Sequence, residues 1–523
     1  MKPTITTPGV YINELNAFPN SVVAVATAVP AFIGYTPQAS YEGKSFTNIP
    51  QKITSFAEFQ AIYCYSNPSP PAAPVQQYSP QFYAVQQKTQ PIEGDSLLIR
   101  GSYYAILPDP GTIYYLYNSI RLFYQNGGGD AYIVSVGGYG PAIGKSIDPG
   151  DLLVNLNVRF DDLLAGLAVL ENEDEPTMYI CPEATLMKAV DNGELMQAML
   201  QQGSRKGTAV SILDVAAGRN PDPLQLEKDI ALFRDQVGSA GLDFGAAYYP
   251  FIGTTIMQSA DLDYTNLFGG DLAPLAAILT PPEAPEQTVA AIIAAIQNPG
   301  ANPLSVSQNQ NALLIASKLY ETIMKHVLNQ CNLLPPSGAL AGVITLTDSQ
   351  VGVWQAPANI SITGAASLPI NISDSQQAGL NVDAVSGKSI NAIRFFNGQG
   401  ILVWGARTLD GNSLDWKYLP VKRTIIFLEQ SCRLAVSGYT FQPNDQNTWE
   451  AVKAMISSFL NSVWKQGGLV GSTPEAAFSV DCGLGTTMVA EDVLNGFMNV
   501  TVKVAVTHPA EYIVITFQQQ MAR

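Results

Sequence analysis

Between residues 114 and 250 the chain alternates short apolar runs with amphipathic stretches, and this alternation narrows the possible folds more than any other feature. Residues 114–125 have helical spacing and are stopped by Asn126-Gly127-Gly128-Gly129. An apolar strand over 131–136 follows, then a helix at 162–170, a strand at 178–181 and a helix at 184–200. A strand at 209–213, a helix at 223–237 and a strand at 244–251 close the series. Short apolar strands separated by helices are βαβ units, whose parallel strands are buried on both faces. The expected fold class is α/β, followed by a mixed α+β C-terminal region.

The flanks read differently. In the first 35 residues Pro3, Pro8, Pro19 and Pro30 interrupt any helix, because each removes an N–H and restricts the residue before it. Residues 10–12 and 22–25 are β-prone, so this segment reads as an extended arm. A short helix is expected over 55–63, with Ser55 as its cap and Glu58 at the capping-box position, and a loop over 66–82. Pro-rich loops bracket an Ala/Ile helix after residue 280, and one helix is expected over 311–331. Farther on, 390–405 reads as strand, turn at Asn397-Gly398, strand. Pro420 opens a helix that Gly438 closes, and Asn447-Thr448-Trp449-Glu450 starts another. In that second helix Val452, Ile456, Phe459, Leu460, Val463 and Trp464 form one apolar stripe, ended by Gly467. From Met498 to Thr507 apolar and polar residues alternate, the pattern of a half-buried antiparallel strand, and a last strand is expected over 512–517.

Composition excludes several classes. The 523 residues are 47% hydrophobic and 13% charged, so the chain folds, and its length suits several domains. A net charge of −16 argues against nucleic-acid binding. No apolar window suits membrane insertion, and the opening residues lack a signal core, so the expectation is synthesis in the cytoplasm. The acidic excess is uneven: residues 415–523 hold 8 Lys/Arg and 9 Asp/Glu, against 19 and 34 in the preceding part. Cys64, Cys181, Cys331, Cys432 and Cys482 are widely spaced, which suits buried thiols better than a disulfide scaffold or zinc site.

Catalytic patterns are weak throughout. His326 and His508 are the two histidines, and neither has metal-ligand or triad spacing. Gly138-Tyr139-Gly140-Pro141-Ala142-Ile143-Gly144-Lys145-Ser146 follows a strand, but a phosphate loop needs four residues before its Gly-Lys-Ser. Gly140 leaves three, Gly138 leaves five, and Pro141 removes a donor. Val385-Ser386-Gly387-Lys388-Ser389 fails likewise, with Val382 at the first glycine position. Glu171, Glu173, Asp174 and Glu175 suit a solvated helix end better than a Ca²⁺ site. Asp214 occupies the place where α/β enzymes keep ligand-binding residues, and it carries the competing expectation, a soluble α/β hydrolase-like enzyme. The expectation is no enzyme activity, no cofactor and no metal.

Both ends are β-prone and Pro-punctuated. Such strands tuck into their own sheet or add to a neighbour's edge, and physics alone leaves both open. At this point the residues resemble a family. Pro8-Gly9-Val10-Tyr11-Ile12, Ala31-Phe32-Ile33-Gly34-Tyr35-Thr36, Ser55-Phe56-Ala57-Glu58-Phe59 and Leu122-Phe123-Tyr124-Gln125-Asn126 look like contractile tail sheath proteins. So do Gly400-Ile401-Leu402-Val403-Trp404-Gly405-Ala406-Arg407-Thr408, Trp416-Lys417-Tyr418-Leu419-Pro420, Cys482-Gly483-Leu484-Gly485 and Pro509-Ala510-Glu511-Tyr512-Ile513. The likeness is greatest to sheaths of phage-tail-like extracellular contractile injection systems.

The resemblance implies a multi-domain structural protein with extended N- and C-terminal β-arms. It would polymerise as stacked hexameric rings around an inner tube and contract to drive the tube through a target envelope. The implied domains are an arm and first strand over 1–35, a middle and outer α/β region over 36–345 and an inner domain over 346–523. Variable insertions would fall at about 64–113 and 255–340. The implied inter-subunit arms comprise Pro8, Gly9, Val10, Tyr11 and Ile12 at one end, and Tyr512, Ile513, Val514, Ile515, Thr516 and Phe517 at the other. Implied partners are other copies or sister sheath proteins, the inner tube, and baseplate and terminal cap proteins. The particle would assemble in the bacterial cytoplasm and act as a phage tail or a released extracellular machine. A capsid or surface-layer protein shares the same acidic, site-poor composition.

Overall fold

A computed structural model describes residues 21–66, 75–88, 96–283 and 286–512. The chain divides into two compact units. Of the described residues, the larger comprises those within 26–423 and 508–512, the smaller those within 21–25 and 424–507.

The larger unit is built on one sheet of nine strands: β1 (Pro30–Thr36), β2 (Gln51–Ile53), β3 (Ala131–Gly138), β4 (Met178–Ile180), β5 (Val210–Asp214), β6 (Gly245–Tyr249), β7 (Ile360–Ser361), β8 (Asn391–Phe396) and β9 (Gly400–Trp404). Their order across the sheet is β7-β9-β8-β6-β5-β4-β1-β3-β2. Six of them, β3-β1-β4-β5-β6-β8, are parallel, as the alternation of strands and helices predicts. β2 and the β9–β7 pair add antiparallel edges. Every residue of β1, β4, β5 and β6 is buried, which is why these strands read as mostly apolar runs, with Thr36, Ser211 and Asp214 as buried polar exceptions.

Helices cover both faces. The described helices include α1 (Phe56–Tyr63), α2 (Leu116–Gln125), α3 (Phe160–Ala168), α4 (Ala189–Lys206) and α5 (Leu226–Gln236). Then come α6 (Leu272–Leu279), α7 (Gln287–Gln297), α8 (Val306–Ala316), α9 (Lys318–Cys331), α10 (Ser337–Gln350) and α11 (Asp374–Asn381). Neighbouring side chains of a strand point to opposite faces. Phe32 meets Phe123 of α2 edge-on at 5.3 Å, while Ile33 lies under Gly166 of α3, so α2 and α3 flank β1 on opposite faces.

Several expectations change. The first strand expected within residues 1–35 is β1, from Pro30 onward, and it is a central strand paired to β3 and β4. Residues 22–25 form no strand. The helix expected over 184–200 opens instead with a 3-10 turn, Pro182–Leu186, before α4. The helix expected over 311–331 is two helices, because Ser317 turns extended and its hydroxyl accepts from the Tyr320 N–H to start α9. The strand expected over 244–251 ends at Tyr249, and Ile252–Thr254 joins a separate sheet with Leu333–Leu334 and Ala365–Ser367.

Helix α12 (Leu419–Ser437) begins in the larger unit and ends in the smaller one. The smaller unit continues with α13 (Gln446–Lys465) and a hairpin of β10 (Phe478–Cys482) and β11 (Val500–Val504). The α13 stripe buries Val452, Ile456, Phe459, Leu460 and Val463 as expected, and also Met455, whereas Trp464 is only half-buried, its indole N–H donating to the Gly471 carbonyl at 3.0 Å. Its cap is Asp445, whose carboxylate accepts from the Thr448 N–H at 3.0 Å, two residues before the start read at Asn447.

Candidate assembly interface

Residues with candidate catalytic or ligand chemistry are engaged in holding the fold. Asp214, at the end of β5, is buried and accepts from the Ser337 N–H (2.9 Å) and hydroxyl (2.5 Å), so it caps α10. Burial lifts its carboxyl to about 7 against these two bonds. One strand over, Glu183 is fully buried and accepts from the N–H groups of Tyr35 (2.7 Å) and Leu116 (3.3 Å). Burial outweighs those donors and lifts its carboxyl to about 8. A Cβ on Gly34 would collide with this carboxylate, which explains the glycine inside β1. Sequence reasoning missed Glu183, because its partners are backbone groups far along the chain.

The Gly138–Ser146 loop does gather amides around an anion, but the anion is the chain's own. The Asp109 carboxylate accepts from the N–H groups of Gly111 (2.9 Å), Ile143 (3.1 Å) and Gly144 (2.7 Å). In the second candidate loop Lys388 donates to the Arg234 carbonyl. The acidic run is paired: Glu171 with Arg205 at 2.5 Å, Asp174 with Lys206 at 3.3 Å, and Glu175 with Lys52. His508 meets the Tyr418 ring edge-on at 6.2 Å, and His326 lies within α9. Cys64, Cys181, Cys331 and Cys482 are buried thiols, and Cys432 is half-buried. Among the described residues no group of three His, Cys, Asp or Glu is placed to hold a metal, and no helix is long and apolar enough to cross a membrane.

The open structural feature is the hairpin. Phe478, Val480 and Cys482 stand opposite Val504, Val502 and Val500, giving one apolar face, while Ser479, Asp481, Thr501 and Lys503 give a polar one. The alternation legible from Met498 onward is thus a real antiparallel strand. Among the described residues the sheet has two strands, so neither outer edge has a partner strand. The Ala505 N–H turns inward to the Ala477 carbonyl at 2.9 Å. Alternate residues of an antiparallel strand therefore point their N–H groups outward at Val500, Val502 and Val504.

The described residues are tied down near both of their ends. At one, the Val25 N–H donates to the Ser431 hydroxyl at 3.2 Å, within the smaller unit. At the other, Tyr512 is 69% exposed and its hydroxyl accepts from Arg407 at 3.2 Å. Pro8, Gly9, Val10, Tyr11 and Ile12, and Ile513, Val514, Ile515, Thr516 and Phe517, lie outside the described residues, as does 67–74 of the expected loop.

Residues 412–520 match the phage tail sheath C-terminal domain family. A tail sheath protein of Vibrio phage KVP40 (isolate Vibrio parahaemolyticus/Japan/Matsuzaki/1991) is 25% identical over 139 residues, 26% of this chain. The match spans only 20% of that protein's length. Two solved structures cover nearly the whole chain. The sheath of an extracellular contractile injection system, the PVC sheath complex in its contracted state, has a TM-score of 0.58 at 24% identity, covering 99% of each chain. The helical sheath of the anti-feeding prophage, also contracted, has a TM-score of 0.58 at 23% identity, covering 99% of this chain and 100% of the other. From end to end the chain has the fold of these contractile sheath proteins, and its last fifth resembles the phage tail sheath C-terminal domain.

Proposed function

We propose that this protein is the sheath subunit of a contractile injection machine, a structural protein and not an enzyme. The observation that carries the reading is the open-edged hairpin inside the matched region 412–520. A lone two-stranded sheet is marginal in water, and a third or fourth strand completes it. The β-prone ends supply such strands to neighbouring copies. Residues 4–14 and 512–517 act as arms, and residues 346–523 with the N-terminal arm form the inner, tube-facing part. About five net hydrogen bonds at roughly 0.5–1.5 kcal/mol each give several kcal/mol per junction before ordering is counted. The near-neutral charge of 415–523 suits a surface covered by other proteins, and the acidic remainder suits the outside.

Its partners are other copies, an inner tube, a baseplate and a terminal cap. Assembly takes place in the bacterial cytoplasm, and the particle is a phage tail or a released injection machine. Contraction draws its energy from subunit packing. Negative-stain microscopy of the protein expressed alone, and of particles from its native operon, tests the reading. Hollow striated tubes that become shorter and wider on triggering support it. Small discrete oligomers under both conditions would overturn it.

A further inference from the structure

The chain passes between its two units three times: between residues 25 and 26, between 423 and 424, and between 507 and 508. On the larger unit's side, a buried arginine holds each crossing. The Arg423 side chain is 3% exposed and its partner Asp348, on α10, is 4% exposed. The pair is two-pronged, at 3.0 Å and 2.6 Å, and the same guanidinium donates to the Thr27 carbonyl at 2.9 Å. One fork therefore grips the N-terminal crossing and the α12 crossing together.

The third crossing has its own fork. Arg407 follows β9 and is 4% exposed; its partner Glu511 lies four residues past the crossing. Nε and Nη2 reach the Glu511 carboxylate at 2.9 Å and 2.6 Å. Asn381 (3.0 Å) and the Tyr418 hydroxyl (3.2 Å) donate to the same carboxylate, while Arg407 also reaches the Tyr512 hydroxyl and the Asn381 carbonyl. Filling a packed core needs no such arrangement, because apolar residues do that without desolvating charges. What a buried, doubly hydrogen-bonded fork gives is one fixed geometry.

We infer that Arg407 and Arg423 are anchors that fix all three crossings to the larger unit. Pull on the smaller unit, or on the segment beyond Tyr512, is then delivered to the nine-stranded sheet. The load-bearing part rests on the sheath reading; the anchoring part does not.

Hydrogen exchange on the full chain, with Arg407→Lys, Glu511→Gln and Arg423→Lys, tests the anchors. Lysine keeps the charge and loses the fork. Arg407→Lys and Glu511→Gln are expected to speed exchange at least tenfold over residues 508–512 and to leave β10–β11 unchanged. Arg423→Lys is expected to do the same over 26–29. Wild-type rates at these segments, or a uniform rise across the whole sheet, would overturn the anchoring. Shearing assembled tubes tests the load: anchor variants are expected to break to shorter lengths than wild type, and equal lengths would overturn that part. A wild type that forms no tubes would sink the sheath reading and the load-bearing role with it, while the exchange data still judge the anchors.

Discussion

Glu183 and Asp214 lie at the carboxyl ends of neighbouring parallel strands, and both carboxylates are held by N–H or O–H donors of other elements. Replacing Asp214 by Ala is expected to destabilise the larger unit by about 1–3 kcal/mol, since the Ser337 groups lose a buried acceptor. Urea unfolding of D214A measures the change, and D214N, which keeps one acceptor, is expected to lose less. Both acids also tie stability to pH. The native state holds the Glu183 proton up to about 8, whereas an unfolded glutamate releases it near 4.5. Between those values the native state binds more protons, so stability falls as pH rises through the window. Asp214, lifted from 3.8 to about 7, acts in the same direction. Midpoints of urea unfolding are expected to drop from pH 5 to pH 8, with a shallower slope in E183Q.

At the scale of elements, the hairpin makes the sharpest prediction. Val502→Pro removes an N–H that points away from β10, so the monomer is expected to stay folded while tube formation is lost. Circular dichroism and microscopy of the same preparation check both halves. Val502→Thr, which keeps the N–H, is expected to assemble normally. This hairpin was legible in the sequence because one face is apolar and the other polar, and a strand's side chains alternate. The parallel strands were legible because burial on both faces favours near-continuous apolar runs. The break at Ser317 was not, since apolar spacing continues through it and the turn is set by a hydroxyl cap. Nor was the position of β1, because order across a sheet is a tertiary property. Residues 22–25 have β propensity, yet the Val25 N–H meets a side chain of α12 instead of a strand. Of the interface, the hairpin showed in the pattern of residues. The Arg407–Glu511 anchor did not, as its partners are 104 positions apart.

For the whole molecule, the sheath reading predicts that removing residues 1–14 leaves a folded protein that cannot polymerise. Light scattering and microscopy would detect normal-length tubes, the outcome that contradicts it. Purified particles are expected to contract at the same rate with and without ATP, because the loop that most resembles a phosphate site already encloses Asp109.

The smaller unit draws on both distant parts of the chain, and that has a consequence for timing on the ribosome. Val25 is 406 positions from Ser431, the residue that receives its N–H. At roughly 5–20 residues per second, the early segment emerges about 20–80 seconds before its contact exists. The hairpin comes later still. If residues 4–14 act as the proposed donor strand, each new chain exposes it before its own hairpin exists, and on the sheath reading only finished subunits serve as acceptors. On that reading the order of synthesis itself would act as a clock that delays each subunit's acceptor role until its chain is complete.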